Sequence, residues 1–180
     1  MGQYFKAINT KTLERMNPHQ YDSGSKLTEH GWVGTSFVGA VMRRMMPGNP
    51  WYQSPVAWVG DYYGDEEGEI DFQTLSEEKG KKIRKCNCLS IEEQEKAFLI
   101  NHTKGQYVSY NDLPKDSDGW MLNPLCILTA MGNGRGGGDY RGPDEDKVGI
   151  WATDILSVDF NIKKWQDMGY TKLDVHFIDE

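Results

Sequence analysis

Cysteine is scarce and long apolar runs are missing from this chain. Its 180 residues include three cysteines, Cys86, Cys88 and Cys126. Any intramolecular disulfide therefore leaves one thiol over, which excludes the dense disulfide framework of small secreted domains and favours a reducing compartment. No stretch approaches the roughly 18 apolar residues of a membrane-spanning helix, and Met1-Gly-Gln-Tyr-Phe-Lys6 has no apolar leader. The expectation is a cytoplasmic protein without a membrane partner. Positive charge is also in short supply, with 20 Lys and Arg against 27 Asp and Glu and a formal net charge of −7. Binding along an extended nucleic acid rests on cationic contacts to phosphates, so that class is disfavoured while a locally basic site is not. An acidic surface also permits docking to a basic protein partner. Several chemical signatures are absent. No glycine-rich loop runs into Lys-Ser/Thr as a P-loop does, and no glycine spacing matches the dinucleotide fingerprint. Cys86-Asn-Cys88 has no second ligand pair for zinc. The carboxylate-rich turn at residues 64–69 lacks the ligand order of an EF-hand. Neither a metal nor a cofactor is expected, and the oligomeric state is left open.

What the chain does have is glycine in one place. Six of the eleven residues of Gly132-Asn-Gly-Arg-Gly-Gly-Gly-Asp-Tyr-Arg-Gly142 are glycine, and ordering each costs about 0.5–1 kcal/mol more than ordering an alanine. Successive amides in such a loop can form a concave nest for an anion, with the guanidinium groups of Arg135 and Arg141 as fork-shaped donors. The candidate ligand-binding residues are Gly134, Arg135, Gly136, Gly137, Gly138, Asp139, Tyr140 and Arg141. A mobile surface connection is the bland alternative.

With 38% apolar and 12% aromatic residues, the chain is long enough for one domain with a core. Hairpin signals outnumber strand–helix–strand alternation, so the expected fold is a single α+β domain spanning residues 1–180, a mainly antiparallel sheet with two or three covering helices. Residues 3–9 read as a first strand, and 55–63 as a buried strand whose apolar part ends at Asp61. Phe37, Val41 and Met45 recur at helical spacing until Pro47-Gly48, and Ser90-Ile-Glu-Glu93 has capping-box spacing. Residues 98–102 and 107–110 flank a hairpin turn. Asn123-Pro124 opens a short apolar helix that delivers the chain to the glycine loop. A helix around 162–168 and a last strand at 173–178 complete the reading. Trp58-Val-Gly-Asp61 and Trp151-Ala-Thr-Asp154 echo each other, which raises the prospect that Asp61 and Asp154 converge. His30, Trp58, Asp61, His102, Trp151 and Asp154 are the candidate wall of a site, although a buried tryptophan or a hydrogen-bonded histidine is the commoner fate of such residues.

Met1-Gly-Gln-Tyr-Phe5, Trp58-Val-Gly-Asp-Tyr62, Asn101-His-Thr-Lys104, Asp118-Gly-Trp120, the glycine–arginine stretch and Trp151-Ala-Thr-Asp154 together resemble a family of small bacterial and phage proteins that begin Met-Gly-Gln-Tyr-aromatic. The resemblance covers about residues 1–155 and supplies no catalytic residues. Members often carry glycine where this chain has Thr153. A phage setting would imply a counter-defence role. The leading expectation is a protein that binds a small phosphate-bearing ligand, a nucleotide or nucleotide signal, with Trp58, Trp151 or Tyr140 stacking on a base. The enzymatic alternative is a metal-dependent phosphohydrolase with Asp61, Asp139 and Asp154 as oxygen ligands and His30 or His102 as acid/base. The third is an acidic inhibitor or interaction protein.

Overall fold

Strand-period alternation divides the apolar side chains between the two faces of one sheet. A computed structural model describes residues 1–179. Among them are nine strands: β1 (Phe5–Asn9), β2 (Glu14–Met16), β3 (Ser54–Gly60), β4 (Lys81–Lys82), β5 (Phe98–Asn101), β6 (Gln106–Ser109), β7 (Ala130–Met131), β8 (Ile155–Asp159) and β9 (Thr171–Lys172). They lie in the order β4-β2-β1-β3-β8-β5-β6-β9, with β7 beside β3. The pairs built on β1, β3, β5 and β8 are antiparallel, and the short β4, β7 and β9 add in parallel. The α+β class and mainly antiparallel sheet expected from the sequence are what the structure shows.

Six helices cover the sheet: α1 (Leu27–His30), α2 (Ser36–Arg44), α3 (Phe72–Lys79), α4 (Ile91–Glu95), α5 (Pro124–Leu128) and α6 (Lys163–Asp167). Only α2 and α3 exceed five residues. Phe5, Ala7, Val56, Trp58 and Leu99 face the main core, where Phe37, Val38, Val41, Met42 and Met45 of the α2 region meet them. The intervening residues point the other way. Ile8, Ala57 and Val59 pack with Phe72 of α3, and Ile100 and Tyr107 pack with Trp165 of α6.

Two expectations change. The apolar run after Pro124 is a helix only to Leu128 and then becomes β7, so the glycine loop leaves a strand paired with β3 and not a helix end. The expected last strand at 173–178 keeps its alternation, with Val175 and Phe177 buried, but pairing stops at Lys172. The His176 amide donates to the Asp144 carboxylate instead of to a neighbouring strand.

Candidate functional site

The glycine loop does form a nest, and the chain fills it itself. The amides of Gly134, Arg135 and Gly136 donate to Oδ2 of Asp139 at 2.7, 3.0 and 3.1 Å. The side-chain amide of the fully buried Gln3 adds a fourth donor at 2.7 Å and also donates to the Gly132 carbonyl. The loop is then stitched to the first residues of the chain, since the Gln3 amide donates to the Gly137 carbonyl and the Gly137 amide to the Met1 carbonyl. Glycine is required at 136 by close approach, because a Cβ there would sit 2.7 Å from the Gln3 backbone nitrogen. Gly134 and Gly138 adopt φ of +94° and +80°, the left-handed region that glycine enters without steric penalty.

The two arginines separate. Arg135 turns back to make a two-pronged ion pair with Glu69, at 2.7 and 2.5 Å, and donates to the Tyr62 carbonyl. It also lies over the Tyr63 ring. The guanidinium holds the Glu69 carboxyl at a pKa of about 2, so the acidic turn that reads as solvated in the sequence anchors the loop. Arg141 is exposed on a separate, polar cleft of about 420 Å³, lined by Gly132, Gly134 and Glu145 as well. The expected convergence of both guanidinium groups on an anion is corrected by this geometry.

The proposed site wall also divides. Trp58 and Trp151 have no exposed surface, and Tyr140 is 2% exposed with its hydroxyl donating to the Pro143 and Phe177 carbonyls. None of the three presents a face to a base. His30 is fully buried: Trp58 Nε1 donates to its Nε2 at 2.8 Å, and its Nδ1 lies 2.8 Å from the Gly24 carbonyl. The neutral ring with a proton on Nδ1 satisfies both contacts, and burial lowers the pKa to about 4. His102 is bracketed by Tyr170 and Ser157 and packs on Trp165, with burial again lowering its pKa to about 4. Asp154 accepts from Asn101 and forms an ion pair with Lys104. Since Pro55 pairs with Ile155, Asp154 lies at the start of β3 and Asp61 at its far end, about 20 Å away at strand rise. Asp139 is enclosed in the nest. The three carboxylates therefore do not share a metal, and no group of three or more metal-ligating side chains is found among the described residues.

A cleft of about 780 Å³ lies elsewhere, between the start of β1, the 3-10 turn Pro18–Tyr21 and the entrance to α1. Tyr4, Lys6, His19, Lys26, Glu29 and Asp61 are among the residues that line it. This volume falls within the usual range for small-molecule pockets. The stem of Lys26 runs against two glycines. A Cβ on Gly138 would be 2.4 Å from Lys26 Cδ, and one on Gly2 would be 2.6 Å from Cε. Among the described residues the Lys26 ammonium has no ion-pair partner. Lys6 is held loosely by Glu77 at 3.4 Å. Asp61 is fixed: its amide donates to the Tyr4 carbonyl, and its Oδ1 accepts from the Tyr4 amide at 2.9 Å. Asn17 also lines the cleft, but its Oδ1 is buried away from the open space and has no hydrogen-bond partner. Of these residues, sequence reasoning had singled out only Asp61.

No protein-family model matches the chain, and comparison with curated proteins and with solved structures finds no significant match.

Proposed function

We propose that the protein binds a small phosphate-bearing ligand, a nucleotide or nucleotide signal, in the cleft between β1 and α1. The observation that carries this reading is Lys26: it lines the cleft, two glycines far apart in sequence leave room for its stem, and its ammonium has no ion-pair partner among the described residues. An ammonium so placed is a point charge suited to phosphate, and Lys6 supplies a second. Tyr4, 50% exposed on the cleft wall, is a stacking surface of the kind that Trp58 and Trp151 cannot offer. The glycine loop takes a supporting part in this scheme, shaping the channel for Lys26 while its own amides hold Asp139. Sequestration of a nucleotide signal is the biological form that the resemblance to phage proteins lends to the reading.

The test is mass spectrometry of small molecules released from gently purified protein, together with calorimetric titration of ADP into wild type and Lys26→Met. The methionine keeps the stem packing and removes the charge. Binding of ADP that weakens at least tenfold in Lys26→Met is the expected result. Equal affinity in the two proteins, or no nucleotide bound or recovered, would refute the proposal.

A further inference from the structure

The cleft carries acceptors as well as cations, which phosphate alone does not explain. Asp61 uses Oδ1 on the Tyr4 amide, so its second carboxylate oxygen is left for a donor, and the residue is exposed on the cleft wall. Glu29, exposed on the same wall, is a second carboxylate, with Oε2 accepting from the Lys26 backbone amide at 3.0 Å. An acceptor facing a bound polyanion would repel it unless the ligand brings hydroxyl or amine hydrogens to that point. The mutual hydrogen bonds between the Tyr4 main chain and Asp61 fix the carboxylate to the residue whose ring lines the same cleft. In a nucleotide the group between the stacked base and the phosphates is the sugar. A carboxylate bonded to the stacking residue's main chain, with lysines elsewhere on the rim, is suited to the ribose, whose hydroxyls are good donors to a carboxylate.

We infer that the ligand is a ribonucleotide and that Asp61 is the specificity-determining residue, accepting a hydrogen bond from a ribose hydroxyl. This rests on the reading of the cleft as a phosphate-ligand site. Calorimetry compares ADP with 2′,3′-dideoxy-ADP in wild type, Asp61→Asn and Lys26→Met. Asparagine can still accept from the Tyr4 amide but presents an NH2 in place of the second oxygen, so it cannot accept from the sugar. The expected result is at least a tenfold preference for ADP in wild type, collapsing below threefold in Asp61→Asn. Equal binding of the two nucleotides to wild type, or a preference that survives Asp61→Asn, would overturn the ribose assignment. In either case, weaker binding of both nucleotides by Lys26→Met would leave the phosphate-site reading standing. Failure of both nucleotides to bind wild type would overturn the two readings together.

Discussion

Thr153 is a β-branched residue held at φ +67° and exposed, a conformation that places its Cβ against the following carbonyl. Replacing it with glycine relieves that clash but frees the unfolded chain, and the balance is expected to raise stability by about 0.5–1 kcal/mol in urea denaturation. His30 gives a prediction in pH. Its folded pKa, about 4, lies below the unfolded value near 6.5. The unfolded state therefore binds the proton first as pH falls. The associated stability is complete above about pH 6.5 and lost progressively down to pH 4, up to about 3 kcal/mol in all. In NMR titration the His30 ring signals should stay fixed from pH 8 to pH 5, and early titration would contradict the buried neutral ring. The separation of the arginines gives a third. Arg135→Ala should lower stability by removing the Glu69 pair, whereas Arg141→Ala should change neither stability nor ADP affinity.

Among the elements, the glycine loop is a latch. Asp139 satisfies three loop amides and Gln3 at once, so Asp139→Ala leaves several donors without partners and should cost about 3 kcal/mol or more by urea denaturation. Gly136→Ala, which pushes a methyl onto the Gln3 backbone, should also destabilise, although it deletes no contact. Sequence alone shows that this loop matters, because six glycines in eleven residues need a reason. It does not show that the anion in the nest is the loop's own carboxylate, since Asp139 reads equally well as a ligand or a guest. Helix α2 was legible from its strict apolar period and the Pro47-Gly48 stop. The capping box at Ser90 and Glu93 is closed in both directions. By contrast, α3 buries chiefly Gln73 and Ser76, a polar face with no apolar stripe to read.

At the scale of the whole molecule, the cleft draws on Tyr4 just before β1, Lys6 within it, Lys26 at the entrance to α1, and Asp61 beyond β3. Residues of these types are ordinary on any surface, and only the fold brings them together. Asp61 and Asp154 failed to meet for the complementary reason: a shared Trp-x-x-Asp pattern fixes local chemistry but not which end of a strand it occupies. The molecule's net charge of −7 opposes any anionic ligand at long range, so the attraction must come from the two lysines close at hand. Such short-range ion contacts are still screened, and raising salt from about 0.05 to 0.5 M should weaken ADP binding at least roughly threefold by calorimetry.

The bond between Gln3 and Asp139 spans 136 residues. Closing so large a loop is entropically slow, and local hairpins such as β5–β6 form without it. During refolding, strand signal should therefore return before the nucleotide binding proposed for the cleft, which should appear only in the final kinetic phase, when the two distant parts of the chain lock.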